Sequence, residues 1–164
     1  RQMCIRDSYN RECIMKIISV NKSASFEYFI EDRYEAGVVL EGSEVKSLRK
    51  NNCNLSDSFC FIRNGEVLLK NMHIAVYDKS GAFNTRESRR DRKLLLHKDE
   101  IAKISGKVNE KGYTLVPLKI YFSQALVKVE VGLCRGKHTF DKKKSLQEKD
   151  LVREKERQIK EYLK

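Results

Sequence analysis

The sequence predicts a mainly β fold with short helices: a small closed antiparallel barrel followed by a basic C-terminal tail. Three observations carry that prediction. At least six short runs rich in aromatic or β-branched residues fall within roughly 120 residues, a density that suits a closed barrel better than an open sheet. Turn and helix-stop residues, Asn64-Gly65 foremost, punctuate those runs. The last segment, Arg135 to Lys164, drops the alternation and carries eleven cations against six acids.

Size and charge narrow the class. At 164 residues the chain fits one domain plus tails, so a second catalytic domain is not expected. Lys and Arg outnumber Asp and Glu by 34 to 23, a net charge of +11 that suits a partner made of phosphates. No apolar run approaches the ~18 residues a membrane span needs, and no long amphipathic segment carries Trp or Phe anchors. The five cysteines, Cys4, Cys13, Cys53, Cys60 and Cys134, show no C-x-x-C spacing. They are expected to be reduced cytoplasmic thiols, and no metal site is expected.

In chain order, residues 1–14 show no periodicity and are expected to be a non-native or disordered leader, with Met15 as the better start. Phe26 to Ile30 and Ala36 to Leu40 predict a hairpin about the polar turn Glu31-Asp32-Arg33. Ser43 is expected to cap a helix from Glu44 to Lys50, with Val45 and Leu48 facing inward. Phe59 to Arg63 and Glu66 to Lys70 flank Asn64-Gly65, the pair suited to a type I′ turn, and Met72 to Tyr77 reads as a further strand.

From Asp78 to Lys93 six cations face three acids, which reads as a mobile basic loop. A short helix is expected from His97 to Ile104, stopped by Gly106. Tyr113 to Phe122 and Leu126 to Leu133 make the longest strand pair, with Val127, Val129, Val131 and Leu133 on the buried side and an edge or bulge at Pro117. A five- or six-stranded oligonucleotide-binding barrel over 15–134 is the natural candidate, with a basic tail over 135–164.

Two stretches carry the candidate chemistry. In Arg92-Lys93-Leu94-Leu95-Leu96-His97-Lys98, three consecutive leucines cannot all face one core, so at least one is exposed among cations. An apolar side chain ringed by Arg and Lys suits RNA, though the same pattern also fits a surface leucine among solvated charges. In the tail, Lys149, Arg153, Arg157, Lys160 and Lys164 fall at helical spacings of 4, 4, 3 and 4 and form one stripe. Leu151, Val152, Ile159, Tyr162 and Leu163 gather on the other side. Such a helix is marginal alone and can order against RNA; a solvated face on a surface helix is the alternative.

The chain resembles the small protein B family, the bacterial partners of transfer-messenger RNA. The matching stretches are Tyr34-Glu35-Ala36-Gly37, Gly42 to Arg49, Asp57-Ser58-Phe59, Arg92 to Lys98 and Gly106 to Thr114. The resemblance implies an oligonucleotide-binding barrel that holds the tRNA-like part of that RNA, and a tail that enters the decoding centre and empty message channel of a stalled ribosome. It carries Asn21, Glu35 and Leu95 over as RNA-binding positions, and Asp141-Lys142-Lys143 as the start of the functional tail. The full expected RNA-binding set is Asn21, Lys22, Glu35, Arg92, Lys93, Leu95 and Lys137. The expected ribosome-binding set is Asp141, Lys142, Lys143, Lys149, Arg153, Arg157 and Lys160. Three positions depart from the family pattern: Lys143 stands for a usual Arg, His138 for a usual Lys and Val76 for a frequent Pro. A lysine at 143 makes a point-charge contact where arginine makes a bidentate one.

The implied protein is a cytoplasmic monomer without cofactor. A general single-strand binder or ribosomal protein on the same barrel is the alternative, and would need Phe59, Phe61, Tyr121 and Phe122 to line one sheet face. An enzyme, such as a nuclease using His73, His97 or His138, is not expected, because three scattered histidines show neither metal-ligand spacing nor a phosphate loop.

Overall fold

The computed structural model describes residues 15–77 and 87–162, with backbone alone at 110–111, 139–141 and 162. The expected leader and most of the expected basic loop lie outside the described residues. In chain order the elements are β1 (Met15–Val20), α1 (Lys22–Glu27), β2 (Tyr28–Val38), α2 (Gly42–Arg49), β3 (Cys53–Asn54), β4 (Phe59–Arg63) and β5 (Glu66–Lys70). There follow β6 (His73–Ile74), β7 (Arg92–Leu95), α3 (Lys98–Lys111), β8 (Thr114–Ser123), β9 (Leu126–Gly136) and α4 (Thr139–Tyr162). The protein is mainly β, with seven strands in one large antiparallel sheet ordered β1-β8-β4-β5-β7-β2-β9 and a further pairing of β8 with β9. β3 and β6 form a separate two-stranded ribbon.

The main core lies on the face built by Tyr34, Ala36 and Val38 of β2, Val67 and Leu69 of β5, Leu94 of β7, Ile120 of β8, and the four alternating residues Val127, Val129, Val131 and Leu133 of β9. Leu48 of α2 and Ile104 of α3 are fully buried against it. A second, smaller core of Ala24, Val116, Leu118 and Cys134 sits under α1. Two bulges join the cores. The register shifts between Ile30 and Asp32 in β2 and between Pro117 and Lys119 in β8, and an extra residue reverses which side chains face which side. Tyr28 and Ile30 therefore pack on the α1 core, whereas Tyr34, Ala36 and Val38 pack on the main one.

Several expectations need correction. Glu31, Asp32 and Arg33 are not a turn but part of one continuous strand, because the backbone here pairs with β9, Asp32 opposite Leu133 and Arg33 opposite Gly132. Phe26 lies in α1, whose first turn is closed by Asn21 Oδ1 accepting from the Ala24 N–H at 3.3 Å. The N-cap of α2 is Glu41, not Ser43, and its N–H donates to Glu44 Oε2 at 3.0 Å. α3 runs through Gly106 and stops at Gly112, which takes φ 64°. A helical glycine costs about 1 kcal/mol, and the apolar stripe Ile101, Ile104 and Val108 continues past it into the core. The strand expected over Met72 to Tyr77 shrinks to His73–Ile74.

Other expectations hold. Asn64 and Gly65 take φ 51° and 72° at the β4–β5 turn, and Pro117 marks a bulge. Cys60 and Cys134 are buried; burial pushes both thiols up, Cys134 to about 11, so they behave as small apolar residues.

Candidate RNA-binding surface

Strand alternation sorts the leucine run. Leu94 is 2 % exposed and belongs to the core, while Leu95 is 54 % exposed on the other face of β7. Gly37 of β2 pairs directly with Leu95, and the leucine side chain lies across it, Cβ to Cβ at 3.5 Å for a side chain built there. Two residues back along β2, on the same outer face, stands Glu35. Its carboxylate takes a hydrogen bond from the Tyr121 hydroxyl on one oxygen and an ion pair from Lys128 on the other. Those two donors, Lys128 first, hold Glu35 below the usual carboxylate range, so it is ionised at neutral pH.

The outer face continues as a charged row. Glu130 of β9 bonds Arg33 at 3.2 Å and Lys119 at 2.7 Å, and Lys119 lies 5.6 Å from the Tyr121 ring centroid. Lys93 stands beside Leu95 on the same face and pairs with Glu66, both ends about half exposed. An apolar side chain, an ionised carboxylate and cations thus share one surface, a combination with the chemistry to meet phosphates and base or ribose edges.

Arg92 has to be taken out of the expected contact set. It shares the inward side of β7 with Leu94 and is 1 % exposed. Its Nε and Nη2 donate to Glu44 at 3.0 and 2.8 Å, Nη1 to the Met72 and Arg90 carbonyls at 2.7 and 3.0 Å, and Nη2 to Ser88 at 3.1 Å. These bonds use the five N–H donors of a guanidinium, leaving none for a phosphate. Arg90 adds a second fork to Glu44, at 3.1 and 2.6 Å. Burial alone would raise the Glu44 carboxyl; the bonds from Arg90, the Glu41 N–H and Arg92 outweigh it and hold it below the ordinary range. Period-two alternation, applied to the cations as well as the leucines, would have found this.

The remaining expected residues gather elsewhere. Asn21 is 7 % exposed, spent on the α1 cap and on a 3.1 Å bond to the Pro117 carbonyl. Its contribution is to hold α1 and the exposed Lys22 in place. Lys137 Nζ donates to the Ser25 carbonyl at 3.1 Å and the Ser145 hydroxyl at 3.2 Å, and lies 4.9 Å from the Phe29 ring centroid. This cluster stands where Tyr28 pairs Gly136, roughly 23 Å along β2 from Glu35 at a strand's ~3.3 Å per residue. The structure therefore divides the expected set into a Leu95–Glu35–Lys93 patch and an α1–Lys137 patch.

α4 leaves the sheet at the second patch. It spans 24 residues, about 36 Å at a helix's rise. Lys149 reaches back over Phe26, at 5.6 Å, while Arg153, Arg157 and Lys160 are exposed. Lys142 is half-buried and Lys143 exposed; the Asp141 side chain lies outside the described residues. Leu151, Val152 and Ile159 are 56 to 58 % exposed on the opposite side. The aromatic row proposed for base stacking is not assembled: Phe59 and Phe61 meet at 6.4 Å, but Tyr121 is 3 % exposed. Sequence reasoning did not bring Tyr121, Lys128 and Glu130 together with Glu35; alternation of Lys128 and Glu130 with the buried valines of β9 places those two on the outer face, but nothing local joins them to Tyr121 of β8. Among the described residues no helix is long and apolar enough to cross a membrane.

Comparison with known proteins adds an independent line. The family model described as SmpB protein matches residues 18–161. The SsrA-binding protein of Lachnoclostridium phytofermentans is 53 % identical over 146 residues, 89 % of this chain and 94 % of that protein. That of Geobacter sulfurreducens is 53 % identical over 142 residues, 85 % and 90 % of the two chains. A chain of the solved structure "tmRNA-SmpB: a journey to the center of the bacterial ribosome" superposes with a TM-score of 0.61 at 48 % identity, covering 74 % of this chain and 85 % of that one.

Proposed function

This chain belongs to the SmpB protein family, and from that premise we propose that it is an RNA-binding adaptor: it binds the tRNA-like domain of transfer-messenger RNA and delivers it to stalled ribosomes for trans-translation. The single observation that carries the reading at residue level is Leu95, exposed over Gly37 with Glu35 and Lys93 on the same face, in a chain whose relatives are SsrA-binding proteins. Glu35 accepts from base amino groups or a 2′-hydroxyl, Leu95 packs on a base or ribose, and Lys93 meets a phosphate. Lys22 and Lys137 form the second contact, with Asn21 acting through α1.

The strand order, in which β9 pairs with both β2 and β8, supports reading 15–134 as a closed barrel of the oligonucleotide-binding type. The segment 135–164 is the ribosomal tail. Asp141, Lys142 and Lys143 begin it, and Lys149, Arg153, Arg157 and Lys160 give it a phosphate-facing stripe for the decoding centre and message channel. The protein acts in the cytoplasm, as a monomer and without catalysis; cleavage of RNA by the purified protein would overturn that last point.

A gel shift comparing transfer-messenger RNA with an unrelated structured RNA, at two salt concentrations, tests the reading. Specific binding should survive the higher salt while binding to the control RNA collapses. Leu95→Asp should weaken the specific complex at least tenfold, about 1.4 kcal/mol, with thermal stability nearly unchanged. Equal affinity for both RNAs would favour the general single-strand binder.

A further inference from the structure

The Glu35 carboxylate is set in a cradle. One oxygen receives the Tyr121 hydroxyl and the other the Lys128 ammonium, so both are fixed in direction by residues from two different strands, β8 and β9. The carboxylate is nonetheless open: the Glu35 side chain is 52 % exposed. Each oxygen therefore keeps acceptor capacity toward the outside. Tyr121 is the opposite case. At 3 % exposure its ring cannot stack on a base, and its hydroxyl, the polar end of a buried side chain, is spent on Glu35. The charged groups on this outer face are Arg33 on the same strand, Lys119 beside Tyr121 on β8, Lys128 and Glu130 on β9, and Lys93 on β7, which pairs with Glu66. Glu130 is occupied by Arg33 and Lys119, which leaves Tyr121 and Lys128 as the direct partners of Glu35.

We propose that Tyr121 is a positioning residue for RNA recognition: its buried hydroxyl aims the exposed Glu35 carboxylate at hydrogen-bond donors of the bound RNA, with Lys128 as the second support. The inference rests on the reading of the Glu35 and Leu95 face as the RNA surface, and it adds a residue that never meets the RNA. A long glutamate on an exposed strand face samples several rotamers, and fixing it before binding removes that cost from the complex. It also keeps the group ionised, since both partners favour the charged form.

The experiment is a double-mutant cycle in the full chain, read as affinity for the tRNA-like domain of transfer-messenger RNA, with melting temperature measured beside it. Tyr121→Phe keeps the ring and removes one oxygen. It should weaken binding about tenfold, a loss typical of a hydrogen bond to a charged group, while the fold melts nearly as before. Lys128→Met should weaken it in the same sense. Glu35→Gln should weaken binding too, and in that background Tyr121→Phe should cost little more, because the hydroxyl acts only through the carboxylate. On acidification, Tyr121→Phe should lose affinity at a higher pH than the parent, and Glu35→Gln should abolish that difference.

If Glu35→Gln weakens binding but Tyr121→Phe does not, the positioning role is overturned and the surface reading stands. Fully multiplicative losses in the double variant would also overturn it, since Tyr121 would then act independently of Glu35. If neither Leu95→Asp nor Glu35→Gln affects binding, the surface reading has failed and this inference falls with it.

Discussion

Glu44 and Arg92 show how a charged pair can serve the fold inside a basic protein. Glu44 receives Arg90, Arg92 and the N-terminus of its own helix, and Arg92 ties it to the carbonyls of Met72, Ser88 and Arg90. One pair thus joins α2, the end of β5 and the start of β7, the strand that displays Leu95. Removing one partner strands the other in a buried site, so Glu44→Gln should cost about 3 kcal/mol, measured by denaturant unfolding at pH 7. The pH dependence has a definite sign. Because the folded carboxyl lies below its ordinary 4.5, its contribution is fully present above that value and is lost as pH falls through and beneath it. The Glu44→Gln stability curve should be flatter there than that of the parent chain; an equally steep curve would show that other carboxylates govern acid unfolding. Leu95→Asp is the contrasting case at this scale, an exposed residue whose loss should be felt in RNA binding alone.

Among the elements, the β4–β5 hairpin and α4 make different demands on their sequences. Asn64 and Gly65 both need positive φ, and Gly65→Ala should destabilise the protein by about 1 kcal/mol by thermal melting. α4 is long, charged and exposed beyond Lys149 on every side, and its Arg153–Asp150 pair is loose at 3.8 Å with both side chains 71 % exposed. A pair so exposed contributes little stability, so Arg153 is free to turn toward phosphate. Replacing Arg153 and Arg157 together by Glu should reduce peptide tagging on stalled ribosomes on the order of tenfold or more, since two cations become two anions. Binding of isolated transfer-messenger RNA should be nearly unaffected. Glu154→Gln and Glu161→Gln should change neither. Normal tagging by the double Glu variant would eliminate the stripe as the contact.

Over the whole molecule, the sheet and the tail are separable in their connections. Among the described residues every strand and both apolar cores end by Gly136, and α4 is tied to α1 through Lys137, which bonds both Ser25 and Ser145, and through Lys149 over Phe26. A chain ending at Gly136 should therefore keep a cooperative melt and most of its specific affinity, within about threefold. Its affinity should also depend less steeply on salt, because the removed residues carry much of the net charge. A larger loss of specific binding would show that the Lys137 patch contributes more to RNA recognition than the Leu95 face.

Local chemistry determined a good deal of this protein from the sequence alone. Alternation in β9 gave the buried valines, Asn64-Gly65 gave the turn, three leucines in a row required one outside, and the cations named an anionic partner. The family motifs pointed to the RNA. What only tertiary structure decided is phase and partnership. The bulges at Ile30–Asp32 and Pro117–Lys119 set which residues of β2 and β8 look outward, and thereby bring Glu35 against Tyr121 and Lys128, up to 93 residues away in the chain. A single inserted residue reverses every following side chain, and periodicity does not record where that insertion falls. Arg92 shows the same limit from the other direction. In sequence it is one more cation in a basic run, and it becomes a structural pin only because the fold brings Glu44 and three carbonyls around it, where a guanidinium's five donors are worth more inside than in water.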